Sequence, residues 1–500
     1  MNTQSNKLFS ILLLVAGILM VGFSAGRWLA PLAAWIGPVL FMRFMRDQKA
    51  GRGILLIVIA NSLAFQIAFG RMWIYMGGIG MAIALSVLYG ILWGLGYLAD
   101  RLLGPRLHGF SSTLVYPFTA GTIELINNYT NPIGNWGATG YTQYGNMPVM
   151  QLSSVTGMVG ITFLMGWFAS TLNWAWENRG SRREAFRGLS IFGAVFALVF
   201  IYGFVRLNFS PLSETGDTIR IAGITNTSQL TLYEDAGGYA AWREDPASPL
   251  ASQAVLDRWE SYFADTVREA EAGAQLVLWN EIAGLTSDAD LPALTASAQE
   301  IAQQNSIYLA IPLAVFYPAK AEKLYENTML LIDPSGAIIL EHDKFGGALV
   351  EYTRVPGEKI VDYVDTPLSM IAGVVCWDMD YPNVIQEAGQ KGAGLMLAPG
   401  SDSISMEPIH TYMAVFRGIE NGMSVVRQAE YGLSIAVDPY GRVLAQTDFF
   451  GATDRTLVAQ VPVKHVATVY TLFGHYFEWV CLAGFLVLAA RALVTRRQTS

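Results

Sequence analysis

The stretch "SMIAGVVCWDMDYPN" at residues 369–383 drives an apolar run into Cys376 and then turns abruptly polar. Its front half is strand-length and rich in β-branched residues, the pattern of a buried strand with the thiol at its end. The chain of 500 residues has only one other cysteine, Cys481, inside the lipid-like run "WVCLAGFLVLAARAL". No disulfide framework is therefore on offer. A lone cysteine in an apolar strand is usually a small packing residue. Two further runs nearby end in the same way, "LVLWNE" at Glu281 and "AIILEHDK" at Lys344. Strand ends of α/β domains are where rigid scaffold gives way to site-forming loops, so residues far apart in sequence can converge there. An acid, a cation and the only thiol outside the apolar helices, all at apolar strand ends, point to a site.

Working outward, residues 208–468 alternate strand and helix signals. "IRIAGIT", "AQLVLW", "SIYLAIPLAVF", "NTMLLID", "AIILEHD", "LMLAPG", "LSIAVD" and "TLVAQVPV" are strand-like runs bounded by Gly, Pro, Asp or Asn. From Gln253 to Ala272, Val255, Trp259, Phe263 and Val267 recur every four residues, with Asp257, Arg258, Glu260 and Glu269 on the other faces, as in an amphipathic helix. "LLIDPSGAIIL" and "SIAVDPYGRVL" each place Asp-Pro-x-Gly between apolar strands, Pro presetting φ and Gly accepting φ > 0, so two hairpins of one form are expected. The segment reads as a mixed α/β domain with helices covering sheet.

The rest of the chain is different. With a mean hydropathy of +0.35 and only 14% charged residues, the protein is too apolar for an ordinary soluble one. Apolar runs begin at Leu8, Trp28, Ile54, Met72, Phe110, Met147 and Leu189, and another spans Tyr470 to Leu493. About eight transmembrane helices are expected, seven in residues 1–207 and one in 469–500, flanking the globular domain at 208–468. The first run is read as a retained helix, because a cleaved signal peptide is not followed by six more such segments. The net charge of −8 and the absence of a basic face argue against nucleic acid. The basic clusters "RFMRDQKAGR", "DRLLGPR", "ENRGSRREAFR" and "RALVTRR" fall on one side when the runs are threaded alternately. The positive-inside rule then puts both termini in the cytoplasm and residues 208–468 outside, in the periplasm of a Gram-negative cell.

Acyl transfer from an amide or ester needs such a trio. A thiol attacks poorly until it loses its proton, which Glu281 can take. Lys344 and the backbone N–H of Trp377 can meet the oxyanion, one such donor being worth about 3 kcal/mol. A Cys-His pair using His342 is the competing assignment, because alternation points His342 and Lys344 to one face.

"LWNEIA", "HDK", "VVCWDMDYP", "LMLAPGSDS" and "FRGIENGMSVVRQAEYGLSIAVDPYGRVL" resemble the successive signatures of the nitrilase, or carbon-nitrogen hydrolase, superfamily. The resemblance implies an α-β-β-α sandwich with a Glu-Lys-Cys triad. Such a domain inserted before the last helix of a polytopic chain, with "MPVMQLSSVTGMVGITFLMGWFASTLNWAW" and "YTLFGHYFEWVCL", is similar to the apolipoprotein N-acyltransferase family. That family moves an acyl chain from a phospholipid, through a cysteine thioester, to the N-terminal amine of a diacylglyceryl-cysteine lipoprotein. The resemblance implies Glu281 as base, Lys344 as oxyanion partner, Cys376 as nucleophile and Glu351 as a second glutamate supporting the lysine. Departures stand beside it. "KFGGALVEY" is one residue shorter than the family's usual stretch and lacks its proline, so the register of Glu351 is open. Where the family usually has Tyr-Glu after the cysteine, this chain has Trp377-Asp378, which are supporting candidates. The extra loop at 230–249 is a candidate lid.

Two other functions fit the sequence: a membrane-anchored amidase in which water takes the acyl group, and a transporter or scaffold with a silent outer domain. Few intramembrane charges favour transport; Glu124 is the main one. No metal-ligand spacing, phosphate loop or dinucleotide fingerprint is evident, so no cofactor and no metal are expected. The topology is checked by reporter fusions after Arg497 and near Gly237, which should give opposite signals; matching signals would overturn the orientation.

Overall fold

The computed structural model describes residues 3–209, 218–226, 249–317, 325–349, 351 and 354–498. The 230–249 loop lies outside these residues but for Pro249. The chain divides into two compact units. One comprises Met1–Asn131, Asn135–Ser210 and Leu472–Ser500; the other comprises Pro132–Gly134 and Pro211–Thr471.

The first unit is helical: Thr3–Ser24, Pro31–Arg46, Ala50–Leu103, Val115–Thr130, Val159–Glu177, Arg182–Asn208 and Tyr476–Gln498 are its main helices. Ala50–Leu103 is two helices meeting at Gly77 and Gly78, where Gly78 takes φ 77°. Every apolar run of the sequence thus contributes helix. Among the described residues, however, length and apolarity qualify four helices to cross a membrane, with the kinked stretch from Ala50 counted once, or five if the pair Met147–Thr156 and Val159–Glu177, bent by 116°, is one span. Pro31–Arg46 and Val115–Thr130 have 16 residues each, fewer than the roughly 20 that a bilayer core asks of a helix, so the count of eight does not follow from the helices themselves. Phe41, Met42, Ile57, Tyr97, Tyr116 and Ala169 form a core among these helices. Arg46 binds both oxygens of Asp100, each at 2.8 Å. Glu124 is fully buried and accepts from the Thr162 hydroxyl at 2.6 Å and the Thr139 N–H at 3.0 Å.

The second unit holds strands β1 (Thr218–Ile224), β2 (Leu276–Trp279), β3 (Gly284–Ser287), β4 (Tyr308–Phe316), β5 (Tyr325–Ile332), β6 (Ile338–Asp343), β7 (Asp362–Asp365), β8 (Met370–Gly373), β9 (Leu395–Leu397), β10 (Gly400–Ser401), β11 (Ser424–Arg427), β12 (Ala429–Glu430), β13 (Leu433–Val437), β14 (Val443–Asp448) and β15 (Leu457–Pro462). One sheet runs β15-β1-β2-β4-β5-β6 with β3 beside β4; the other runs β14-β13-β11-β9-β8-β7. Their facing sides share a core that includes Ile221, Leu276, Leu278, Met329 and Leu331 from one sheet and Ile371, Leu395, Leu397, Val426 and Ala436 from the other. Helices Pro249–Glu271 and Leu291–Asn305 cover the first sheet through Trp259, Tyr262, Leu294 and Ala298. Helices Pro382–Lys391 and Ile409–Asn421 bury Ile385, Val415, Phe416 and Ile419 on the side of the second. This is the expected α-β-β-α sandwich. The strands are short and apolar on both faces because each sheet is covered twice.

Within the helix Pro249–Glu271 the apolar stripe is where the spacing puts it, but two charged residues are not. Arg258 and Glu269 are buried. The Arg258 guanidinium donates from Nε to the Ala283 carbonyl at 2.8 Å, satisfying a strand-end loop that periodicity cannot see.

The two hairpins are one device used twice. Asp333 Oδ1 accepts the N–H groups of Ser335 and Ala337, and Asp438 Oδ1 those of Tyr440 and Arg442, all at 2.9 to 3.0 Å. Gly336 and Gly441 take φ 85° and 75°. A side chain in that region costs about 1–2 kcal/mol. At Gly441 an added Cβ also meets Ile419 Cδ1 at 2.6 Å, whereas at Gly336 its nearest neighbour is 3.2 Å away. Gly441→Ala should therefore lower the thermal midpoint of the purified chain more than Gly336→Ala, and both should lower it; equal or unchanged midpoints would contradict the turn assignment.

Candidate active site

Glu281 follows β2 after Asn280 and is buried. Both its oxygens are occupied. Oε1 accepts from Lys344 Nζ at 2.7 Å and from Asn327 Nδ2 at 2.8 Å; Oε2 accepts the Ser401 N–H at 2.6 Å. A carboxylate so fully met by donors is held in one rotamer. The next residue, Ile282, takes φ 54°, an outlier for a β-branched side chain and a sign that the strand end is bent to aim Glu281.

Lys344 directly follows β6, opposite Asn327 of β5, whose carbonyl accepts its N–H at 2.9 Å. The ammonium is buried and lies between two carboxylates, Glu281 at 2.7 Å and Glu351 Oε1 at 2.6 Å. Burial alone would lower its pKa, but Glu281 and Glu351 override that and hold it well above its ordinary value. Spacing left the register of Glu351 open; the contact with Lys344 fixes where its carboxylate sits. Arg354, which the sequence gave no reason to single out, holds Glu351 Oε2 at 2.7 Å and also donates to the carbonyls of Lys344 and Gly346.

Cys376 is not in a strand. β8 ends at Gly373, and the thiol opens a short 3-10 turn, Cys376–Asp380, with φ 51°. A left-handed non-glycine residue is costly, and such residues concentrate at functional sites. Its N–H donates to the Pro399 carbonyl at 2.8 Å. The neighbours of Sγ are the Ser401 carbonyl and Arg427 Nη2, each at 3.9 Å. Burial, then the charge of Glu281, push the thiol well above its usual pKa, while Lys344 and Arg427 pull it down.

Asp378 ties the lysine loop to the cysteine turn. Oδ1 accepts the N–H groups of Phe345 at 3.1 Å and Gly346 at 2.6 Å; Oδ2 accepts the Val375 N–H at 2.9 Å and lies 2.9 Å from His342 Nε2. His342 is thereby engaged. Its other nitrogen lies 2.8 Å from Asp362, and although burial opposes protonation, the two aspartates raise its pKa to about 9. A protonated imidazole held on both sides is no base for the thiol, which removes the Cys-His alternative. The Trp377 indole donates to the carbonyl of Ile133, which groups with this unit, at 3.0 Å.

One cluster was missed by the sequence reading. Arg427 Nη2 donates to Asp402 Oδ1 at 2.8 Å and lies 3.2 Å from His410 Nδ1. His410 in turn lies 2.6 Å from Asp402 and 3.2 Å from Asp380. Burial would discharge this histidine, but Asp380 and Asp402 raise its pKa to about 9; Arg427 and His410 hold Asp402 well below the carboxylate range against burial. Cys376, Asp402 and His410 do offer three ligand atoms within 4.8 Å of one another. The guanidinium already among them opposes a second cation, so the cluster reads as an ion network. The signal was present: "SVVR" is a fourth apolar strand ending in a charged group.

The sequence pattern of the family described as carbon-nitrogen hydrolase matches residues 241–470, and that described as the apolipoprotein N-acyltransferase N-terminal domain matches residues 15–171. The chain is similar to the apolipoprotein N-acyltransferase of Geobacter metallireducens, 24% identical over 71% of this chain and 70% of that protein. It is also similar to that of Bradyrhizobium diazoefficiens, 28% identical over 72% and 70%. Among solved structures, an amidase from Nesterenkonia sp. superposes with a TM-score of 0.40 at 22% identity, covering 50% of this chain and 92% of the amidase. With one family pattern on its helical part, the other on its α/β part and relatives aligned across most of their length, the chain belongs to the apolipoprotein N-acyltransferase family, its α/β domain being an enzyme domain of the carbon-nitrogen hydrolase superfamily.

Proposed function

We propose that this protein is a membrane N-acyltransferase. It moves an acyl chain from a phospholipid to Cys376 as a thioester, and from there to the N-terminal α-amine of a diacylglyceryl-cysteine lipoprotein. The observation that carries the reading is a buried thiol on a strained turn beside an ammonium clamped by two carboxylates, in a chain whose helical part matches this family.

In this mechanism Glu281 takes the Cys376 proton as sulfur attacks the ester carbonyl carbon. Lys344 and the Trp377 backbone N–H meet the oxyanion; Glu351, held by Arg354, keeps the ammonium aimed. When the C–O bond breaks, the departing lysolipid oxygen takes the proton from Glu281. The amine then attacks the thioester carbon and passes a proton to Glu281; the C–S bond breaks, its electron pair goes to sulfur, and the sulfur takes that proton from Glu281, restoring thiol and carboxylate. Asp378 positions the lysine loop against the turn. The site faces the periplasm, with both termini cytoplasmic and the eight apolar runs crossing the bacterial inner membrane alternately; the charge asymmetry of the loops supports this orientation.

Given donor lipid without acceptor, the enzyme should accumulate an acyl adduct on Cys376, as a two-step mechanism requires. Cys376→Ala should carry none, and Glu281→Gln should form it roughly 10²- to 10⁴-fold more slowly, the usual worth of a positioned base. Intact-protein mass spectrometry reads both. No adduct on the wild type sinks the mechanism, and an adduct that decays equally fast with or without amine transfers the assignment to the amidase.

Asp378→Asn is a second test. All four partners of this carboxylate present N–H groups, so an amide nitrogen there faces donors. Leaving a buried donor unmet costs about 1–3 kcal/mol, so the variant should melt earlier and react more slowly; a wild-type melting point would remove Asp378 from its positioning role.

A further inference from the structure

We propose that Arg427 is a further catalytic group of this site, the cation that faces the Cys376 sulfur whenever it carries negative charge. The inference rests on the reading of Cys376 as the nucleophile. Nη2 lies 3.9 Å from Sγ, and the guanidinium is fully buried at the end of β11. Its aim is fixed from behind. Asp402 holds Nη2 at 2.8 Å, His410 bridges Asp402 to Asp380, and Asp380 closes the turn that Cys376 opens. Among the described residues, Nε and Nη1 have no hydrogen-bond partner.

The charged groups around the thiol are Glu281, Lys344, Arg427 and Asp402. Lys344 is shared by two carboxylates and is needed by the oxyanion. Once the S–H pair stays on sulfur and the proton is on Glu281, Arg427 presents Nη2 to the sulfur at 3.9 Å, while the protonated His410, whose ring also lies within 4.8 Å of Sγ, is taken up by Asp402 and Asp380. It meets the same charge again when the C–S bond breaks and the pair returns to sulfur. Asp402 and His410 are positioning residues acting through it. Asp402 also opposes the thiolate by its own charge. A cation that acts on the sulfur shifts the pH profile of the thiol and is replaceable by another cation, which a merely structural role does not produce.

The test uses the full-length chain in detergent on a Cys481→Ala background, without lipid. Alkylation of Cys376 by iodoacetamide is followed by intact mass across a pH series. In Arg427→Gln the inflection should move up by at least about one pH unit, slowing alkylation about tenfold at neutral pH while the rates converge at alkaline pH; Arg427→Lys should restore most of the shift. An unchanged inflection in folded Arg427→Gln overturns the proposal; should that variant not fold, Arg427→Met, of similar length and without charge, is read in its place with the same outcomes. Because no acyl group is involved, normal shifts with no acyl adduct would sink the transferase reading and leave this one standing.

Discussion

An ammonium taken out of water costs several kcal/mol unless fixed negative charge meets it, and Lys344 Nζ meets two carboxylates at 2.7 and 2.6 Å. The rest of the site is arranged around that constraint. Glu281 can serve only because Asn327 and the Ser401 N–H complete its shell, which binds together β5, the strand-end loop after β2, and β10. Glu351 can serve only because Arg354 takes its second oxygen. Glu281, Glu351, Lys344 and Arg354 then form a set of two acids and two bases. Asp380, Asp402, His410 and Arg427 form a second such set, with His410 protonated by its two aspartates. The thiol lies within reach of both. Two self-neutralised clusters let a buried site carry four cations without a net field that would repel either substrate.

How much of this was legible in the residues depends on which physical signal carried it. Glu281, Lys344 and Cys376 stand out only in combination, as an acid, a cation and a thiol that each close an apolar run, since each alone reads as a packing residue or a solvated strand end. Arg427 bears the same mark in "SVVR", inside a stretch quoted above only as a family signature. Glu351 and Arg354 lie in a loop whose path is set by the carbonyls of Lys344 and Gly346, and no periodicity records that. Strands β3 and β7, four residues each and partly polar, carry too little pattern to be seen. Arg258 and Glu269 were placed on the wet face because helical spacing assigns faces, while a buried charge is decided by partners elsewhere in the fold. The apolar runs were read correctly as helix. Their number of crossings was not legible, because the 16-residue helix Pro31–Arg46 contains Pro38 and is too short to announce a span by itself.

The proposed nucleophile and oxyanion donor come from residues 32 positions apart that belong to different sheets, Lys344 just after β6 in one and Cys376 in the turn after β8 in the other. Sheets twist and shift against one another, so their relative placement alone would not hold a reacting distance. Asp378 supplies the direct link, since one carboxylate accepts from Phe345 and Gly346 on the lysine side and from Val375 on the cysteine side. An aspartate is one methylene shorter than the glutamate usual at this place in the family, and the shorter reach demands a closer backbone. At Gly346 an added Cβ would stand 2.8 Å from the Trp377 carbonyl carbon and 2.9 Å from Asp378 Oδ1, distances real side chains do not tolerate. The glycine in "KFGG" and the aspartate in "CWD" are therefore two halves of one solution. The two stretches where the chain departs from the family pattern, the loop after Lys344 and the pair after Cys376, thus meet in space, and the bare Cα of Gly346 leaves the room that the Asp378 carboxylate occupies.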